Sequence, residues 1–316
     1  MIKKLNYKKI GVFVGCTLVA VIAITMFVSS LVKTSNLKKT TEYKLEKIGY
    51  TENEINVIKD KLNEGQINDI LNSEYNIDLT KFLNEKYFIY ANLTRYLNYY
   101  SEHKDLNVSN VVAIVNVGAD SQWYNNVKNT DVSKGELMLV NKFNGLNEGY
   151  EPEDLREISA TYAYSGNYIS ESIYDDLTEM LDAAKDAGYT LVVSQGYRSY
   201  KDQLDAYKDI ENYSSMREAD ARAARAGHSE YQTGLSMLIE PYNKIIEDVS
   251  NNAEHIWLLA NAHRYGFILR YPAGTENITG FASEEWRFRY VGREAASTIK
   301  SENITFDEYY AYYINK

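Results

Sequence analysis

The sequence predicts that the larger, C-terminal part of the chain is an α+β domain. Short apolar runs at residues 111–115, 137–140 and 191–194 are bounded by turn-forming residues, a pattern typical of strands. Helical patterns of unequal length lie between and after these runs, without the regular strand–helix alternation that a parallel sheet requires. The chain before them combines an uncharged apolar segment with helical patterns, so we expect an N-terminal segment of different character.

The N-terminus predicts a membrane anchor. Lysines at positions 3, 4, 8 and 9 precede residues 10–32, a run of 23 residues without charge. A helix of that length spans roughly 34 Å, enough to cross the hydrocarbon core of a bilayer. A cleaved signal peptide is the alternative, but its apolar core is usually about 7–15 residues and ends at a small-residue cleavage site. We expect a cell-membrane protein with a single span at 10–32, a cytoplasmic tail at 1–9 and an extracytoplasmic remainder.

Composition excludes several functional classes. The single cysteine, Cys16, lies inside the apolar run, so the remainder of the chain has neither a disulfide nor a thiolate metal site available. After residue 35 the chain has 29 basic and 44 acidic residues, a net charge of −15. Binding to nucleic-acid phosphates requires clustered cations, so we expect no nucleic-acid partner.

The remainder divides into a helical stalk or lobe at residues 33–107 and a domain at residues 108–316. In the lobe, Thr51 and Glu54 have the spacing of a capping box at the start of a helix. In the domain, amphipathic patterns predict helices at residues 174–187, 201–210, 216–225, 253–265 and 293–299. A second capping-box spacing, Thr305 to Glu308, precedes a tyrosine-rich terminal helix.

Three segments of the domain have a distinctive order and spacing. They are residues 194–200 (SQGYRSY), 226–238 (AGHSEYQTGLSML) and 284–292 (EEWRFRYVG). Together they resemble the core motifs of the VanY-type D-alanyl-D-alanine carboxypeptidases, which are zinc peptidases. Residues 261–272 also resemble this family, and the resemblance covers roughly residues 108–316. It implies a small antiparallel sheet flanked by helices.

The resemblance also implies where a zinc site would lie. The family's middle motif is Ser-x-His-x-x-Gly-x-Ala-x-Asp and its last is Glu-x-x-His. The two histidines and the aspartate bind zinc, the glutamate is the general base or acid, and an arginine holds the substrate. Three protein ligands leave one coordination position for a water, whose pKa the metal lowers toward about 7.

This sequence retains the frame of these motifs and replaces the ligands. Ser229, Glu284 and Arg198 match the family's serine, glutamate and arginine. The ligand positions are occupied by Tyr231, Leu238 and Arg287. Leucine has no donor atom, a guanidinium stays protonated and repels a cation, and a lone phenol is a poor ligand. We therefore expect no zinc and no other cofactor, and no residue is assigned as catalytic.

The substitutions preserve the charge of the site. An intact site would combine Zn²⁺ with one aspartate and one glutamate, a sum of zero, and Glu284 with Arg287 also sums to zero. We expect Arg287 to pair with Glu284, because a buried carboxylate without its cation is costly. The pair either serves binding or only stabilises a former active site.

Three functions follow from these features. The first is a pseudopeptidase that binds peptidoglycan stem peptides without hydrolysis through a set of substrate-binding residues: Arg198, Ser229, Tyr197, Trp286 and Arg287. The second is a structural or regulatory subunit that binds an envelope protein, which the 29 tyrosines would suit. The third is an active D,D-carboxypeptidase that trims the terminal D-Ala of cell-wall peptides, with Glu284 as its general base. The substitutions favour the first.

Overall fold

The computed structural model describes residues 24–33, 36–37, 39–243, 249 and 251–315. Most of the predicted anchor at residues 10–32, and the whole tail at 1–9, lie outside these residues. The described part of the anchor, residues 24–32, is helical. In the ranges that the structure describes, no helix combines the length and the apolar character that a membrane span requires.

The chain divides into two compact units, one ending at Leu93 and one beginning at Thr94. The first unit contains helices, as the sequence predicts. They are α1 (Thr41–Ile48), α2 (Glu52–Lys61), α3 (Glu64–Leu71) and α4 (Leu79–Leu83). The capping box at Thr51 is confirmed, since its hydroxyl accepts from the Glu54 N–H and the Glu54 carboxylate accepts from the Thr51 N–H.

The second unit has an α+β architecture. Its helices are α5 (Leu93–Glu102, which starts at the last residue of the first unit), α6 (Val108–Val117), α7 (Tyr174–Asp186), α8 (Tyr200–Asn212), α9 (Met216–Arg222), α10 (Ala253–Asn261), α11 (Glu276–Thr279), α12 (Arg293–Glu302) and α13 (Phe306–Tyr309). Its strands are β1 (Lys128–Asn129), β2 (Asn144–Gly145), β3 (Leu155–Glu157), β4 (Tyr168–Ser170), β5 (Leu191–Gln195), β6 (Ser236–Pro241), β7 (Phe267–Tyr271) and β8 (Glu284–Tyr290).

A four-stranded antiparallel sheet with the order β5-β6-β8-β7 forms the centre of this unit. Successive side chains of β7 point to opposite faces: Phe267 packs into a core that includes α7, and Ile268 into a core that includes α12. The expected antiparallel sheet flanked by helices is therefore present. The predicted strand at residues 191–194 is confirmed as β5, and the capping box at Thr305 is confirmed at the start of α13.

Two predicted strands are wrong. Residues 111–115 lie in α6, which Asn107 caps by accepting from the Asn110 N–H and which ends at Gly118 in the left-handed conformation. These five residues are all buried, so the helix shows no polar face to distinguish it from a buried strand. Residues 137–140 form no ladder, because the guanidinium of Arg289 donates to the carbonyls of Glu136 and Met138 at 2.9 Å each.

The sequence predicts a domain boundary at residue 107, whereas the chain divides into compact units between Leu93 and Thr94. Because residues 108–117 form a helix, there is no change from helix to strand at residue 107 that would indicate a boundary. Helix α6 packs against α11 and α13, within the second unit. The five predicted helices of the domain are present, although α9 ends at Arg222 and not at residue 225, because Ala223 is extended.

Candidate functional site

The site lies where β5 ends and β8 begins. In the register of the sheet Gln195 pairs with Leu238, and Leu238 pairs with Arg287. Tyr231 lies in the 3-10 turn Glu230–Thr233, directly before β6. The three positions at which the resemblance places zinc ligands therefore converge, although they are distant in sequence.

These residues line a cavity of about 200 Å³. Its lining consists of Arg198, Gln203, Ile210, Arg222, Ala223, Ala224, Ser229, Tyr231, Leu238, Tyr271, Phe281, Glu284 and Arg287. Tyr197 and Trp286 are not among these described lining residues. The Trp286 ring instead meets the buried His255 ring edge to face, with the ring centroids 5.0 Å apart.

The centre of the cavity is a tyrosine ring with two guanidinium groups against it. The Cζ atom of Arg287 is 3.7 Å from the centroid of the Tyr231 ring, and that of Arg198 is 4.8 Å away. Both distances lie within the range of a cation–π contact. Burial raises the pKa of the Tyr231 phenol to about 12. The phenol is therefore neutral at physiological pH, and both arginines keep their charge.

Arg287 also forms an ion pair with Glu284. Its Nη2 donates to the Glu284 Oε2 at 2.7 Å, and the exposed fractions of the two side chains are 11% and 28%. The expected pair therefore forms on one strand, three residues apart. Because Glu284 keeps a cationic partner, its carboxylate is compensated at this partly buried place.

Arg198 is held by neutral acceptors. Its Nη2 donates to Gln195 Oε1 and its Nη1 to Gln203 Oε1, each at 3.1 Å. Gln203 is buried and donates in turn to the Ala224 carbonyl at 2.7 Å. Burial lowers the pKa of the Arg198 guanidinium, although an arginine stays protonated at any physiological pH. Gln195 thus orients the arginine.

Ser229 caps the turn that presents Tyr231. It is buried, and its Oγ accepts from the Tyr231 N–H at 3.3 Å. The Arg198 N–H donates to the Tyr231 carbonyl at 3.2 Å, which ties the two motifs together. The serine predicted as a substrate-binding residue therefore lines the cavity and also fixes the backbone of the turn.

A buried ion cluster lies behind the turn. Arg270 donates to Glu230 at 2.8 Å and to Asp307 at 2.7 Å, and Arg289 lies 3.6 Å from the second Glu230 oxygen. The side chains are at most 2% exposed. Asn141 donates to the other Asp307 oxygen at 2.8 Å. Because Glu230 stands between Ser229 and Tyr231, the cluster anchors the turn to the core.

Sequence reasoning missed several lining residues. Gln203 follows the first motif, and Tyr271 lies in the segment at residues 261–272 that resembles the family, but neither had a predicted role. Arg222 and Phe281 lie outside every motif, in α9 and directly before β8. Helix α9 packs against α8, and its Ala221 carbonyl accepts from the Ala282 N–H at 2.9 Å, which places Arg222 at the cavity.

The motifs and their convergence on one cavity agree with comparisons to known proteins. The family profile described as VanY, D-alanyl-D-alanine carboxypeptidase, matches residues 166–293. The Bacillus subtilis (strain 168) protein named "Putative carboxypeptidase YodJ" is 37% identical over 204 residues, which cover 60% of this chain and 75% of that protein. The chain belongs to the VanY family. A D-alanyl-D-alanine carboxypeptidase of Enterococcus faecalis (strain ATCC 700802 / V583) is 33% identical, over 57% of this chain and 67% of its own length.

A solved structure supports the VanY fold. It is that of the LdcB LD-carboxypeptidase, described as revealing the molecular basis of peptidoglycan recognition. It aligns with a TM-score of 0.55 and 35% identity, over 60% of this chain and 91% of that chain.

The donor set at the three positions where the resemblance places zinc ligands does not fit zinc. Leu238 offers no donor atom, and Arg287 places a permanent cation there. The phenol of Tyr231, with its pKa raised to about 12 by burial, is far from the anionic form that would bind a metal. Among the residues that the structure describes, no group of three or more His, Cys, Asp or Glu side chains is arranged to hold a metal ion.

Proposed function

We propose that this member of the VanY family binds the C-terminal end of peptidoglycan stem peptides without hydrolysing them. The observation on which this rests is the ion pair between Arg287 and Glu284 inside a cavity that retains Arg198. An arginine replaces the second histidine of the family and holds the carboxylate at the general-base position. The cavity therefore lacks the ligands that zinc requires, but its arginines can bind an anion.

The absence of hydrolysis follows from the donor chemistry. Without a bound metal, no Lewis acid lowers the pKa of a water at this cavity, and the Glu284 carboxylate is engaged by Arg287 at 2.7 Å. The alternative is an active D,D-carboxypeptidase, which the names of the relatives suggest equally well. A shared fold does not by itself confer chemistry, so the residues of the site decide our choice.

Peptide binding is supported by the state of Arg198. Its guanidinium is half-buried at the cavity wall, it is oriented by two glutamine oxygens, and its bound acceptors are neutral. A planar guanidinium in a partly desolvated place suits the two oxygens of a terminal carboxylate. The resemblance assigns the same role to this arginine.

Metal content separates the two alternatives. The full chain, purified without chelator, should contain zinc well below one equivalent when measured by plasma mass spectrometry. Its melting temperature should be unchanged by EDTA. Near-stoichiometric zinc that is lost on substitution of Glu284 or Tyr231 would refute the pseudopeptidase and favour the active enzyme.

Peptide affinity tests the binding itself. Isothermal titration calorimetry with a stem pentapeptide ending in D-Ala-D-Ala should show weak binding that Arg198→Ala reduces roughly ten- to hundredfold, since a charge-assisted hydrogen bond contributes about 1.5–3 kcal/mol. Arg217→Ala is the matched control, because Arg217 is exposed and lies outside the cavity lining. Binding that is undetectable at millimolar peptide would favour an envelope protein as the partner.

We further propose that the domain works at the outer face of the cell membrane. Support comes from the lysine-flanked, uncharged run at residues 10–32. Stem peptides lie in the wall, so an anchored domain with its site outside would meet them directly.

A further inference from the structure

The side chains that line the candidate cavity carry more positive than negative charge. Three arginines and one glutamate contribute to the lining: Arg198, Arg222, Arg287 and Glu284. The pair between Arg287 and Glu284 cancels internally at 2.7 Å. Arg198 and Arg222 then leave the cavity with an excess of two positive charges. Within a small, partly desolvated space such an excess favours a negatively charged ligand.

The two uncompensated arginines lie at different depths. Arg198 is half-buried in the wall, whereas Arg222 is exposed, in the last turn of α9 at the rim. The acidic residues near Arg222 on α9 have other partners, and Glu218 interacts with Arg222 only electrostatically. Glu218 accepts from the Ser215 N–H and hydroxyl in a capping box, and Asp220 forms a bidentate pair with Arg225. Arg222 has no ion-pair partner within 4.0 Å among the residues that the structure describes.

We infer that the cavity selects peptides with two carboxylates near their C-terminus. This inference rests on the proposed function. The terminal carboxylate binds Arg198 in the wall, and the side chain of an acidic residue two positions before the C-terminal residue reaches Arg222 at the rim. The second carboxylate must be close to the first, because about 200 Å³ is below the range of about 300–1,000 Å³ typical of ligand pockets and admits only the end of a peptide. Arg222 is thus a specificity-determining residue.

An isosteric pair of peptides tests the second carboxylate. Acetyl-Glu-D-Ala-D-Ala and acetyl-Gln-D-Ala-D-Ala differ by one negative charge and almost nothing in shape. Calorimetry with the full chain at low ionic strength should show that the Glu peptide binds about three- to fivefold more tightly, the upper range for a partly exposed ion pair. The preference should shrink as salt is added.

Two arginine substitutions on α9 test whether Arg222 causes the preference for the Glu peptide. Arg222→Gln should abolish the preference, so that the Glu and Gln peptides bind this variant with equal affinity. Arg217→Gln, an exposed arginine on the same helix outside the cavity lining, should keep the preference. Equal affinities for the two peptides, or a preference that survives Arg222→Gln, would overturn this inference and leave the proposed function standing. If neither peptide binds, both fail together.

Discussion

Replacing Arg270 should strongly lower the free energy of unfolding of the second unit, although Arg270 is not among the residues that line the cavity. Arg270→Met keeps an unbranched apolar stem and deletes the cation that bonds both Glu230 and Asp307. Both carboxylates then stay almost fully buried, with Arg289 at 3.6 Å and Asn141 as their nearest remaining partners. Breaking a buried ion pair from one side typically costs about 3–5 kcal/mol, and we expect a loss of that size.

Tryptophan fluorescence measures this loss selectively. The three tryptophans, Trp123, Trp257 and Trp286, all belong to the second unit, so urea unfolding followed by their emission reports that unit in the full chain. The control is Lys201→Met, which breaks the Lys201–Asp205 pair whose side chains are 80% and 56% exposed. That variant should lose no more than about 0.5 kcal/mol. A loss below about 1 kcal/mol for Arg270→Met would refute the role assigned to the buried ion cluster.

Three further predictions concern the site, the anchor and one buried amine. A variant that carries Tyr231→His, Leu238→Asp and Arg287→His should bind zinc in a calorimetric titration, because the three positions already converge. If the variant binds no zinc, the backbone at these positions differs from that of a zinc site. Protease added to protoplasts should digest the chain after residues 10–32, whereas a soluble, shortened protein would indicate a cleaved signal. Burial lowers the pKa of the Lys142 ammonium from 10.5 to about 8, so the unfolded chain binds more protons between those values. The stability of the wild type relative to Lys142→Met should therefore rise from pH 8 to 10, and a constant difference would contradict the burial effect.

The site could be predicted from the sequence because its residues lie in motifs of fixed spacing. The spacing between Ser229 and Leu238 carries the chain from the turn into β6, and Glu284 to Arg287 opens β8. Pairing between β6 and β8 then brings Leu238 opposite Arg287. Because the spacing of these motifs matches the family that the sequence resembles, the positions Tyr231, Leu238 and Arg287 could be named without coordinates.

Other features depended on tertiary context. The run at residues 111–115 is equally compatible with a buried strand and a helix buried on all sides, and only the caps at Asn107 and Gly118 favour the helix. Residues 137–140 lack a ladder because a distant side chain, Arg289, binds their neighbouring carbonyls. Arg222 reaches the cavity through the packing of α9, which no local pattern encodes.

The direct pairing of Leu238 with Arg287 has an evolutionary consequence. In a gene that accumulates one substitution at a time, acquisition of a zinc site in this cavity would pass through intermediates that lose a favourable contact before they gain a ligand set. Leu238→Asp alone would place a carboxylate opposite Arg287, where it competes with Glu284 for one cation, and Arg287→His alone would leave Glu284 without its partner. Neither step yields a complete ligand set. Under the proposed function, no single substitution at these positions therefore converts the cavity into a zinc site.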